Sequence, residues 1–202
     1  MRTCFLFFAT PLLAFFSGCQ NMDSLNYLKA VNGGQLHFAD GTVKHIPHWG
    51  DPAWAHFFCV RHAEKAKDDA QDPGLSTEGE ARAERLGRIM ADVGLDSVYA
   101  TPYRRTQLTA EPVQRRGHTP PVVTYKPNDQ DEWLLGLLPN SPGKKLLIVG
   151  HQNTIPQLLN QLAGGGFDFD NIPDSDFGRF YVVATQGIGD DTEPMEVLEV
   201  RY

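Results

Sequence analysis

Cysteine, positive charge and long apolar runs are all scarce in this chain. Its 202 residues hold three cysteines, and Cys4 and Cys19 fall in or at the end of an N-terminal leader. Cys59 is then alone in the folded part, which excludes an internal disulfide there. Lysine and arginine number 18 against 25 aspartates and glutamates, for a formal charge of -7. A protein that grips a nucleic-acid backbone is usually basic overall, so nucleic acid is not the expected partner. Any anion handled here has to be held by a local cluster of positive groups. The apolar stretch FLFFATPLLAFF, Phe5 to Phe16, is too short to span a bilayer comfortably.

That stretch does have the length of a signal-peptide core, with Arg2 before it and Ser17, Gly18 and Cys19 after it. Small residues directly ahead of a cysteine resemble a bacterial lipobox, in which the signal is cut before the cysteine and the sulfur carries lipid. Phe16 stands where leucine is usual, and an ordinary secretory signal cut nearby is the competing reading. The expected organisation is a signal over 1–18, an N-terminal extension over 19–55 and a main domain over 56–202. The mature protein is expected in the cell envelope, attached to the membrane through a lipidated Cys19 and facing the periplasm.

What remains has the composition of a folded domain, with 41% hydrophobic and 10% aromatic residues. Its length suits one domain with a substantial core. In the extension, Gln35 to Pro47 alternates around Asp40-Gly41 and predicts a tight-turned hairpin. His37, His45, His48 and His56 fall nearby. Pro47 breaks any helix that could align His45 and His48, and no cysteine or carboxylate completes a set, so they are read as scattered surface histidines. No metal or cofactor is expected.

From residue 56 strands and helices alternate. Phe57 to Arg61 predicts a buried strand, with Cys59 a small buried hydrophobe within it. Thr77 and Glu80 read as a capping-box pair opening a helix with Leu86, Ile89, Met90 and Val93 on one face, ended by Gly94. Ser97–Ala100 is a short strand, after which Thr101-Pro102 reads as a helix start, to be ended or kinked by Pro112. Val122–Tyr125 reads as a third strand and Asp131–Leu138 as a short helix. Lys145–Gly150 is a buried strand, followed by a helix from Thr154 that stops at Gly164–Gly166. Phe180–Thr185 and Glu196–Tyr202 close the chain as an antiparallel pair. The alternation predicts an α/β sandwich around a mainly parallel sheet.

FFCVRHAEK, Phe57 to Lys65, raises the functional question, because an arginine delivered to a strand end needs an anionic partner. In open α/β sheets, ligands bind beyond the carboxyl ends of the strands. Arg61 and His62 follow one such strand, Thr101 to Arg105 another and His151 a third. Helix starts at Thr101 and near Asn153 add backbone N–H groups. The cluster predicts a site for a small, highly charged anion, with phosphate the obvious candidate. A neutral imidazole is a competent nucleophile toward phosphorus, and the arginines with a protonated His151 could stabilise the developing charge.

These residues resemble the histidine phosphatase superfamily, whose fold is phosphoglycerate mutase-like. VRHAEK matches the family's Arg-His-Gly/Ala motif, TPYRRTQLTA its Ser/Thr-Pro-x-x-Arg element and IVGHQNTIP its Gly-His element. LSTEGEARAERL fits the helix that usually follows the first motif. The resemblance covers about residues 56–202 and implies a three-layer sandwich. It implies His62 as nucleophile and Arg61, Arg105 and His151 as phosphate ligands, with Arg104 left at the rim.

The implied activity is metal-independent hydrolysis of a small phosphomonoester through a phosphohistidine. A phosphoglycerate mutase-like phosphotransferase is one alternative, and an envelope lipoprotein that binds phosphorylated ligands without turnover is another. The general acid is expected among Asp129, Asp131 and Glu132, with Asp129 preferred. Glu64 is left between an ion pair with Arg61 or Lys65 and an exposed position.

Overall fold

The computed structural model describes residues 26–164, 166–187 and 195–202. The leader and Cys19 lie outside the described residues.

Leu28–Asn32 (β1), Gln35–Phe38 (β2) and Val43–His45 (β3) form a small antiparallel sheet. The expected hairpin is β2–β3, with Gly41 at φ 86 in its turn. β1 was not legible in the sequence. Its pairing with β2 shifts register between Leu28 and Ala30, and such a bulge breaks the period-two alternation that announces a strand. The extension also shares the main core, for Leu28, Val31, Leu36, Phe38 and Ile46 cluster with buried residues of the larger sheet's first face.

The remaining strands are β4 (Ala55–Arg61), β5 (Ser97–Ala100), β6 (Val123–Thr124), β7 (Lys145–Gly150), β8 (Arg179–Thr185) and β9 (Met195–Arg201). They form one sheet in the order β6-β5-β7-β4-β8-β9. The β6, β5, β7 and β4 neighbours are parallel, while β8 is antiparallel to β4 and β9 to β8. β4 is buried at every position, as a strand covered on both faces must be. Its alternate residues feed opposite layers. Phe58 and Val60 pack with Leu86, Ile89, Met90, Ala110 and Val113, whereas Phe57 and Cys59 pack with Leu134, Ile155, Leu158 and Leu162. Full burial of each phenylalanine contributes on the order of 2–3 kcal/mol.

Two helices therefore cover each face, α1 (Thr77–Met90) and α2 (Arg104–Gly117) on one, α3 (Gln130–Leu137) and α4 (Thr154–Leu162) on the other. This is the mainly parallel three-layer α/β fold that the sequence predicts. No helix among the described residues is long and apolar enough to cross a membrane.

Several local expectations are corrected. The cap of α1 is Ser76, not Thr77: its Oγ accepts from the Gly79 N–H at 3.2 Å and donates to Glu78 at 2.9 Å. The hydroxyl of Thr101 does not cap α2, which starts three residues later at Arg104. Pro112 does not end α2, which continues to Gly117. A proline costs a helix about 3 kcal/mol, and burial of Ala110, Pro112 and Val113 against α1 offsets that loss. His56 is not a surface histidine. It is 3% exposed and bonds the Pro47 carbonyl through Nε2 at 2.9 Å.

Candidate active site

The carboxyl ends of β4, β5 and β7 meet at one edge of the sheet, and their last residues build the site. The His62 N–H donates to the Gly150 carbonyl at 2.8 Å, which joins the end of β4 to that of β7. Gly150 is needed where the chain doubles back, since a Cβ there would lie 2.8 Å from Thr154 Oγ1 and 3.0 Å from the Tyr125 hydroxyl. Thr154 Oγ1 uses that space to accept from the His151 N–H at 2.9 Å.

His62 is 3% exposed, and its Nδ1 lies 2.7 Å from the Ala63 carbonyl. A carbonyl only accepts, so Nδ1 carries the proton and Nε2 keeps its lone pair. The Ala63 N–H in turn donates to Thr109 Oγ1 at 3.0 Å, and that hydroxyl donates to the Arg105 carbonyl at 2.7 Å. The orientation of the imidazole is thereby fixed to α2. Burial, then His151, Arg105 and Arg61, push the pKa of His62 down to about 3, against an opposing effect of the Ala63 carbonyl.

The His151 ring lies 5.4 Å from that of His62, centroid to centroid. Its Nε2 is 2.9 Å from Thr101 Oγ1, which also lies 2.8 Å from Thr106 Oγ1. Burial, with Arg105 and Arg61, lowers its pKa to about 4. Both shifts favour the neutral imidazoles in the free site, so a protonated His151 of the kind expected to stabilise developing charge would have to gain its proton when an anion binds. The hydroxyl of Thr101, read from sequence as a helix cap, is a histidine partner.

Arg61 is 5% exposed, with its guanidinium 4.0 Å from the Phe177 ring centroid. Its Nη1 donates to the carbonyls of Pro173, Asp174 and Asp176 at 2.8, 3.0 and 3.0 Å. Its Nε is buried without a hydrogen-bond partner among the described residues. Arg105 packs on Tyr103, 4.4 Å from the ring centroid, and has Asp72 at 3.8 Å. Arg104 instead turns to Asp68 and Asp72 and remains at the rim.

Two adjoining clefts share Arg105 and Gln152. One, of about 250 Å³, is lined by Arg61, His62, Lys65, Arg105, Gln152, Asp174 and Phe177. The other, of about 410 Å³, is lined by Tyr103, His151, Asn153 and Thr154 among others, with Pro127 and Asn128 at its side. Arg61, His62, Arg105 and His151 are therefore brought together as the motifs imply. Asp129 is not. Its carboxylate lies 4.0 Å from Lys126 and lines a separate cavity with Glu132, Trp133, Gly136 and Leu137. Asp131 accepts from Gln157 at 3.1 Å. None of the three expected general acids lines either histidine cleft.

Residues 57–127 match the family model of the histidine phosphatase superfamily (branch 1). That span includes Arg61, His62 and Arg105, while His151 lies beyond it. Solved phosphatases share the fold at low identity. The protein histidine phosphatase SixA complexed with tungstate aligns at 17% identity with a TM-score of 0.55, over 72% of this chain and 96% of that one. A native mycobacterial glucosyl-3-phosphoglycerate phosphatase aligns at 10% identity and 0.54, over 71% and 97%. A protein described as mycobacterial hydrolase 1 aligns at 12% identity and 0.55, over 73% and 99%. No curated protein matches the chain in sequence.

Glu64 is partly exposed and forms no described ion pair with Arg61 or Lys65. It forms a forked pair with Arg82, whose Nε and Nη2 reach its oxygens at 2.7 to 3.0 Å. Arg82 Nη1 also donates to the Tyr202 carbonyl at 3.1 Å. Sequence reasoning also missed Lys65, Gln152, Asp174 and Phe177. The last two lie in NIPDSDFGRF, a segment without periodicity whose only signal is an acidic pair just before a strand.

Proposed function

We propose that this chain is a phosphomonoester hydrolase of the histidine phosphatase superfamily, with His62 as nucleophile. The observation that carries the reading is the bond from His62 Nδ1 to the Ala63 carbonyl, which leaves Nε2 unprotonated in a cleft with two arginines. Nε2 attacks phosphorus and the ester P–O bond breaks, giving a phosphohistidine. Water then cleaves the P–N bond and releases phosphate. Arg105, the unpaired Nε of Arg61 and His151 bind the equatorial oxygens, where charge accumulates in the transition state.

The shortness of the α2–β6 connection favours hydrolysis over transfer. Only residues 118–122 separate α2 from β6, too few to form a cover that would keep water from the phosphohistidine. The family match and the phosphatase fold support the same chemistry. Release of phosphate from an aryl phosphate by wild-type protein, and its loss in His62→Ala, tests the proposal. Equal inactivity of both across pH and a panel of phosphomonoesters, with ligand binding retained, would favour a binding protein instead.

The apolar leader and Ser17-Gly18-Cys19 support export with a lipid on Cys19. Labelling with a fatty-acid probe that survives in Cys19→Ser would exclude that anchor.

A further inference from the structure

A phosphomonoester with a poor leaving group needs a proton donor for its departing oxygen. Asp174 is the one acidic residue among those lining the clefts that hold Arg105 and the two histidines, and its charge acts on Arg61. Its segment is fixed from two sides. Arg61 Nη1 holds the carbonyls of Pro173, Asp174 and Asp176. Asp176 is held in turn by Arg179 at 2.8 Å, Arg201 at 2.6 Å and the Gly178 N–H at 3.2 Å. Phe177, between them, packs on Arg61 and stands 6.1 Å from the His62 ring. The residue that grips the phosphate therefore also positions the loop that carries Asp174.

We propose that Asp174 is the general acid of this site, the role sequence reasoning assigns to Asp129. The inference rests on the phosphatase reading above. In the first step Nε2 of His62 forms the P–N bond, the P–O bond breaks, and the leaving oxygen takes the proton of the Asp174 carboxyl. In the second, the Asp174 carboxylate takes a proton from water as its oxygen attacks phosphorus. The P–N bond then breaks, restoring neutral His62 and protonated Asp174. Lys65 shares the cleft with Asp174, and His151 and Tyr103 line the adjoining one; in this scheme Lys65 and His151 supply charge for phosphate binding.

Leaving-group dependence separates this role from others. Since the Asp174 backbone carbonyl, not its side chain, bonds Arg61, Asp174→Asn preserves the loop anchor. For this variant kcat/KM with p-nitrophenyl phosphate, which reports the phosphorylation step and whose leaving group needs no proton, should fall at least about tenfold less than with an alkyl ester, while loss of the proton acceptor in the second step lowers kcat. With a simple alkyl phosphate kcat/KM should fall about 10²- to 10⁴-fold, and Asp174→Glu should recover part of the loss. Equal losses on both substrates, no loss on either, or the same selective loss in Lys65→Met with Asp174→Asn unaffected would each overturn the assignment. Wild-type protein inactive on both esters would instead overturn the phosphatase reading and this one with it.

Discussion

The imidazole of His62 is held by the carbonyl of its own neighbour, Ala63, 2.7 Å from Nδ1. The bond chooses the tautomer, so the phosphoryl group should be found on Nε2. Protein denatured in alkali during turnover, which spares the acid-labile P–N bond, should show the phosphorus resonance of an Nε2-phosphohistidine. His62→Ala should show none, with phosphate release reduced about 10³-fold or more, since the covalent route is removed.

The two histidines set the acid behaviour. With His62 lowered to about 3 and His151 to about 4, both stay neutral well below the ordinary histidine value. Nucleophile protonation should not depress kcat/KM near pH 6.5, and the acid limb that it causes should appear below about pH 4. The unfolded chain binds protons between about 6.5 and these values that the folded chain does not, so stability should fall as pH falls through that window. A bound phosphate dianion favours a charged His151. Free phosphate at pH 5–6 is mostly the monoanion and gives up a proton on binding as the dianion, so calorimetry in buffers of different ionisation heat should show less net proton release for wild type than for His151→Gln.

Arg61 and Arg105 should separate experimentally. Arg61→Ala removes both a phosphate ligand and the donor to three carbonyls of residues 173–176. Its kcat/KM should drop about 10²- to 10⁴-fold, and amide exchange over 172–178 should rise. Arg105→Ala should weaken phosphate binding without raising exchange there, because no described bond links Arg105 to that segment.

Glu64 and Gly79 stabilise the loop beneath the site. The Ser76 N–H donates to the Glu64 carbonyl at 2.9 Å, and a Cβ on Gly79 would come within 2.1 Å of that oxygen. Gly79→Ala should cost about 1–3 kcal/mol in denaturant unfolding. Burial raises the Glu64 pKa, but Arg82 outweighs it and holds the group below the ordinary glutamate value. The contribution of that pair is present above about pH 4.5 and lost as pH falls further. Arg82→Ala should therefore destabilise the protein more at pH 7 than at pH 3.

Strong periodicity and strand-end charges made most of the architecture legible. Residues 57–60 of β4 and 146–150 of β7 are unbroken apolar runs, with Arg61 and His62 directly after the first and His151 directly after the second, so sequence alone placed them at one sheet edge. β1 escaped because its bulge spoils alternation, and the starts of α1 and α2 were misread because a hydroxyl near a helix can serve other partners. Thr101 shows the difference: its position suits a cap, yet its oxygen faces His151.

The general acid was beyond the reach of sequence for a related reason. Asp129 and Asp174 are both carboxylates in irregular segments, and no pattern says which cavity a loop side chain enters. The sequence by itself determined the fold class and the gathering of Arg61, His62, Arg105 and His151 at one sheet edge, because buried strands impose a period and sheet ends collect charge. Only the tertiary structure decided the histidine tautomer, the neutrality of His151 and the carboxylate that shares the cleft. Those depend on burial and on contacts between residues as far apart as Arg61 and Pro173, which local spacing does not encode.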